Sequence, residues 1–154
     1  MTNPIRIRLG RVRSGFTMLE TIVVLVIIAM MAVGVIPMAN RAIGHSRVNN
    51  SASVIAGDLQ LAFSLASRQR TPLRIVVDAS GRKYSIRTRA GAIIKERTFG
   101  DQSDLHVNTM SSTVSQLEVF PNGLSSGPIT ITVGLNGYAQ RITMTRAGQV
   151  RVTS

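Results

Sequence analysis

The chain has 154 residues, 44% of them hydrophobic, no cysteine, and 18 Lys and Arg against 7 Asp and Glu, for a formal charge of +11. This length accommodates one modest domain plus a separate apolar segment, and the apolar content excludes a disordered chain. The lack of cysteine excludes a disulfide framework and any thiolate metal site. Part of the charge is local, because Arg6, Arg8, Arg11 and Arg13 precede a long apolar run. Without residues 1–15, 14 bases minus 7 acids leave +7, which still favours acidic partners or anionic lipid headgroups.

From Ile22 to Ala39 no side chain is charged or polar. As a helix, residues 16–39 reach about 36 Å, more than the roughly 30 Å hydrocarbon core of a bilayer. Arginines before the run and none within it predict a cytoplasmic N-terminus, with everything after Arg41 across the membrane. A cleaved secretory signal has a shorter apolar core and a small-residue cut site beyond it, and "MANRAIG" matches that weakly. A plain anchor explains the length and the arginines but leaves Glu20 without a role, although a carboxylate at mid-bilayer costs about 2.5 to 3.5 kcal/mol on insertion scales. Gly34 and Pro37 predict a kink or local melting around residues 33–37, because proline removes a backbone donor and clashes with the preceding turn.

The stretch "SGFTMLETIVVLVII", residues 14–28, resembles the signal of type IV pilins and type II secretion pseudopilins: a basic leader, Gly15, the aromatic Phe16, and Glu20 five residues beyond the glycine. The resemblance implies that a prepilin peptidase cuts between Gly15 and Phe16 and methylates the new amino terminus on Phe16. It implies further that Glu20 acts in assembly and that Gly34 and Pro37 supply helix flexibility. Gly15 lacks a side chain, so its backbone can enter a protease cleft without steric cost. The cationic amine on Phe16 could be neutralised by Glu20 of a neighbouring subunit, since a paired charge costs far less in a low dielectric than two separate ones. The expected organisation is a leader over 1–15, a transmembrane helix over 16–39, an amphipathic continuation over 40–70 and a β domain over 71–154.

Past the apolar run, Val48, Ala52, Ile55, Leu59, Ala62, Phe63 and Ala66 recur at steps of three and four, predicting one amphipathic face. The polar residues between them include Asn49, Asn50, Ser53, Asp58, Gln60 and Ser64. One helix over residues 17–67 is expected, ended at the latest by Pro72. Short runs rich in Val, Ile and Thr then predict strands over 72–78, 83–89, 92–99, 116–120, 129–134, 138–145 and 149–153, with the first two forming a hairpin across "ASGR". Residues 100–115 lack periodicity and read as a mobile surface loop with room for one short strand. The fold class is α+β: a long N-terminal helix packed on an antiparallel β domain of two sheets.

The C-terminal portion, "VFPNGLSSGPITITVGLNGYAQRITMTRAGQVRV", looks like the end of the GspH/FimT family, in which a proline- and glycine-containing loop leads through two strands to a glycine turn and a final basic strand. The resemblance implies a pilin-like fold. It implies a minor pseudopilin of a type II secretion system or, alternatively, a minor pilin of a type IV pilus. The expected partners are prepilin peptidase, other pilins or pseudopilins in a fibre, and the lipid of the bacterial inner membrane. A membrane-anchored periplasmic protein outside any fibre is the third reading.

No enzyme and no cofactor emerge from the sequence. Its two histidines and scattered acids form no acid–base pair or metal-ligand set. "GLSSG", residues 123–127, matches G-x-S-x-G by letter, but a nucleophile elbow needs a strand before it and a helix after it. Here a proline loop precedes and a strand follows, so a turn is expected. Asp101 and Asp104 fall short of a calcium cage. Arg82, Lys83, Arg87, Arg89, Lys95 and Arg97 gather on the hairpin and its neighbour, and alternation puts Arg87 and Arg89 on one face, opposite Ile86. Arg141, Arg146 and Arg151 are candidate DNA or surface contacts. Family members that bind DNA carry "G-R-x-R" in the last turn, whereas Gly148, Gln149, Val150 and Arg151 retain only the second arginine. With few aromatics to stack on bases, DNA is the less favoured partner.

Overall fold

The computed structural model describes residues 15–100, 103 and 105–154, which leaves Asp101 and Asp104 outside the described residues. The chain forms two compact units, one ending at Ala39 and the other spanning Asn40–Ser154.

A single helix, α1 (Met18–Gln69), contributes to both units. It begins with Thr17 as its cap: the Thr17 hydroxyl accepts the Glu20 N–H at 3.2 Å and the Thr17 carbonyl accepts the Thr21 N–H at 3.1 Å. This satisfies donors that the first turn would otherwise leave without partners. Residues 33–37 are helical throughout, Pro37 included, so the predicted melting does not occur there. The helix stops where Arg70 takes a left-handed conformation (φ 52°), two residues before Pro72.

In the first unit the apolar side chains are exposed all round: Phe16 is 82% and Val33 76% accessible. The second unit is organised oppositely. Val48, Ala52, Ile55, Leu59, Ala62 and Ala66 are buried and Phe63 half-buried, so the predicted stripe lies in the core. Ser51 and Asp58 share that stripe and are also buried, because positions three and four apart fall on one helical face.

Eight strands follow: β1 (Leu73–Asp78), β2 (Lys83–Thr88), β3 (Ile93–Thr98), β4 (Thr109–Ser112), β5 (Gln116–Val119), β6 (Ile129–Leu135), β7 (Tyr138–Met144) and β8 (Val150–Thr153). They form two four-stranded sheets, in the orders β3-β2-β1-β5 and β4-β6-β7-β8, with every pairing antiparallel. The stretch over 100–115 thus contains β4, paired with β6 through Thr109↔Gly134 to Ser112↔Ile131. Alternation sends Leu73, Ile75 and Val77 of β1, and Ile129, Ile131 and Val133 of β6, into one core shared with α1.

Turn chemistry sets the registers. β6 and β7 join through Asn136 (φ 51°) and Gly137 (φ 86°), the Asn-Gly pair that a two-residue hairpin favours. The β7–β8 turn brings Gly148 (φ 77°) so near the helix that a Cβ would lie 2.8 Å from Phe63 Cε1. The segment after β5 ties the sheets to the helix end: Ser67 Oγ donates to the Pro121 carbonyl, and the Ser125 N–H to the Arg146 carbonyl at 2.9 Å.

Candidate functional site

The residues of the N-terminal signal lie together at the start of α1. Gly15 has open space where a side chain would be, and Phe16 is exposed. Glu20 is the third residue of the helix, exposed, and takes no ion pair with any described residue. Its backbone is nevertheless used. Thr17-Met18-Leu19-Glu20 has the T-x-x-E spacing of a capping box, and the Thr17–Glu20 bond is made. This local role was legible in the sequence and was missed beside the charge argument. A negative side chain in the first turn also suits the positive end of the helix dipole.

Gly34 and Pro37 sit within the exposed apolar stretch, with open space beside Gly34. No part of the 18-residue apolar window is buried. A soluble core helix would hide such residues, whereas a lipid or fibre environment would accept them.

The basic hairpin resolves mainly into internal ion pairs. Lys95 Nζ lies 2.6 Å and Arg97 Nε 2.9 Å from the carboxylate of Asp58, and Tyr84 Oη donates to the same group. Lys83 pairs with Asp78 at 3.8 Å, Arg87 with Glu96 at 4.0 Å, and Arg74 with Glu118 at 3.0 Å. Arg89 falls in the turn after β2 and is exposed, beyond the strand that was expected to carry it. Most of this cluster therefore holds the fold together and does not present free charge.

Asp58 is the residue that periodicity placed wrongly. It reads as outward polar, yet it is 5% accessible and joins α1 to β2 and β3. Burial pushes its carboxyl up, but hydrogen bonds from Arg97, Lys95 and Tyr84, together with the Arg97 charge, outweigh that and hold it below the usual carboxylate value. Burial first, and then the Asp58 hydrogen bond and charge, raise the Tyr84 phenol well above its ordinary value. The hydrogen bond to Asp58 raises Arg97 in turn. The only available signals were the 55–58–62 spacing and a sheet carrying more bases than acids.

Arg141 and Arg151 are exposed and share one face of the second sheet. Arg141 stands opposite Thr132 and Thr153, and Arg151 opposite Thr143, while the alternate residues Ile142 and Met144 point inward. Thr130 and Thr143 lie on that same outer face, with hydroxyls 3.4 Å apart. This face carries hydroxyls and two arginines, and no carboxylate. Arg146 is not part of it: its Nε donates to the Ser125 carbonyl at 3.2 Å. Ser125 is buried and donates to Gly127 and Arg146 carbonyls, so "GLSSG" is a structural turn. Among the described residues no three His, Asp or Glu side chains group to hold a metal.

The comparisons agree with this geometry. The family model for the type II transport protein GspH matches residues 51–148, and the prokaryotic N-terminal methylation motif matches residues 10–36. No curated protein matches the sequence. Among solved structures, the chain is similar to the type IV minor pilin FimU of Pseudomonas aeruginosa (TM-score 0.58, 20% identity, covering 71% of this chain and 90% of that one). It is also similar to the minor pseudopilin EpsH from the type 2 secretion system of Vibrio cholerae (TM-score 0.57, 15% identity, covering 70% and 97%). At these identities the neighbours show a shared pilin-like fold. The GspH match covers well over half of the chain, and the chain belongs to the GspH family of pilin-like proteins.

Proposed function

We propose that the chain is a minor pseudopilin of a type II secretion system, anchored in the bacterial inner membrane by residues 16–39, with a cytoplasmic N-terminus and a periplasmic β domain. Prepilin peptidase cuts between Gly15 and Phe16 and methylates Phe16, and the mature chain joins other pseudopilins near the tip of a periplasmic pseudopilus. The observation that carries this reading is a junction. A methylation motif matches residues 10–36, and from Met18 onward one unbroken helix leads into a GspH-family domain that begins at residue 51.

The role is mechanical. The apolar half of α1 passes from lipid into the fibre core, two environments that both tolerate exposed Val, Ile and Leu. Glu20, which takes no ion pair with any described residue, neutralises the amino terminus of a neighbouring subunit and so sets the helix register. Gly34 and Pro37 lower the cost of bending the stalk during packing. The test is deletion of the gene in its host. The expected result is loss of exported enzymes from the medium with surface pili intact, and restoration by the wild-type chain but not by Glu20→Ala. Normal export after deletion, with pili lost, would refute the secretion assignment.

A second reading, a type IV minor pilin that contacts DNA, is favoured by one observation: the acid-free outer face bearing Arg141 and Arg151. A gel-shift assay on residues 40–154, the unit that contains the whole core, tests it at physiological salt. Under the pseudopilin reading no shift occurs at micromolar protein. A shift abolished by Arg141→Gln with Arg151→Gln would support the DNA reading.

A further inference from the structure

Six residues of the second unit line a small cleft of about 120 Å³: Asn40, Arg41, Gly44 and His45 from α1, Leu135 at the end of β6 and Asn136 of the β6–β7 turn. We propose that this cleft binds the phosphate of an anionic phospholipid headgroup at the membrane face where α1 emerges. The proposal rests on the membrane-anchor reading above and adds to it a defined site and ligand chemistry.

The chemistry of the lining selects an anion. Four of the six lining residues, Asn40, Arg41, His45 and Asn136, carry polar side chains, and no Asp or Glu lines the cleft. Arg41 takes no ion pair with any described residue, unlike the bases of the first sheet. Guanidinium groups match phosphate oxygens in a two-pronged geometry, and amide N–H groups complete the shell. At about 30 Å³ per water, the volume equals roughly four waters, room for one phosphate group but not for a folded partner.

The walls are held in place before any ligand arrives. The His45 ring stacks on Tyr138 with centroids 4.0 Å apart and planes 22° from parallel. The Tyr138 hydroxyl donates to Asn49 Oδ1 at 3.1 Å, and Gln140 Nε2 donates to both of these oxygens. Gly44 keeps the floor open, since a Cβ there would sit 3.8 Å from Leu135 Cδ2, in ordinary contact and without strain.

Position along the chain selects lipid over free phosphate. The apolar run ends at Ala39, so the helical rise places Arg41 about 3 Å and His45 about 9 Å beyond it. The headgroup layer is about 5 to 8 Å thick on each side of the hydrocarbon. Arg41, two residues past the apolar run, therefore falls within the headgroup layer by helical rise.

The test uses the full chain in nanodiscs, with the amide chemical shifts of Gly44 and Asn136 followed by NMR as phosphatidylglycerol replaces phosphatidylcholine. Saturable shifts at both residues are expected, with Arg41→Gln needing about fivefold more phosphatidylglycerol for the same response. Gly44→Ala, which narrows the cleft without straining the helix, should weaken the response while the remaining spectrum stays native. Shifts that are absent, or unchanged by either variant, would overturn the site. The same shifts produced by inorganic phosphate in discs of phosphatidylcholine alone would overturn its assignment to lipid. Failure of the chain to co-elute with discs would instead refute the anchor reading, so the two failures are distinguishable.

Discussion

The two halves of α1 are built from similar apolar residues and use them in different ways. Residues 22–39 are apolar on every side and largely exposed, whereas residues 40–69 gather most of their apolar side chains in one stripe, which is buried, and leave Ile43 and Leu61 outside it. A helix without a polar face needs a surround that is apolar in all directions, and a striped one needs a single covering surface. Small residues widen the contrast. Ala52, Ala62 and Ala66 in the stripe are fully buried, letting the strands approach the helix backbone closely.

The largest break in the comparison comes from truncating the stripe. Ile55→Ala should cost the β domain about 2 to 5 kcal/mol, read from urea unfolding of the full chain in detergent, while Ile28→Ala should leave the same transition in place. Equal losses would mean that the apolar half belongs to the domain core. Next is Asp58→Asn, which removes the charge that Lys95 and Arg97 face and should cost about 1.5 to 3 kcal/mol.

The same carboxylate sets an acid limb of stability. Its folded pKa lies below the unfolded value, so its contribution is complete above about pH 5 and is lost as pH falls through the folded value. Asp58→Asn should flatten that limb. Tyr84 has the opposite sign. Its pKa is raised on folding, so stability is present below about pH 10 and declines as the unfolded chain ionises above it. Tyr84→Phe should remove this alkaline decline, and a decline that survives the substitution would move the effect to another group.

A smaller effect is expected at Gly148→Ala, where a positive φ and the Phe63 ring both oppose a side chain. The strain should cost about 1 to 3 kcal/mol, measured by the same urea transition. A neutral result would mean that the β7–β8 turn yields easily against the helix.

Much of the architecture could be read from pattern, because the helix stripe, the strand alternation and the Asn-Gly turn each express local rules. What escaped was long-range. Asp58 has the spacing of the buried stripe but the chemistry of the surface, and only the arrival of Tyr84, Lys95 and Arg97 from β2 and β3 makes its burial tolerable. β4 was legible only as room for one short strand within residues 100–115, because Thr109–Ser112 alternates little apolar bulk and gains its identity from pairing with β6. The gathering of bases on the hairpin and its neighbour left their pairing unread for the same reason: the carboxylate that Lys95 and Arg97 face, Asp58, is supplied by α1. At the N-terminus Gly15, Phe16 and Glu20 lie within six positions of one another, so the motif that the family model matches over residues 10–36 was legible from local sequence.

The central claim is that the leader is removed and the apolar half of α1 is retained as the new N-terminal segment. Mass spectrometry of the protein isolated from cells with active prepilin peptidase tests it most directly. The account predicts a chain beginning at methylated Phe16. A chain retaining its leader, or one cut beyond Ala39, would contradict it.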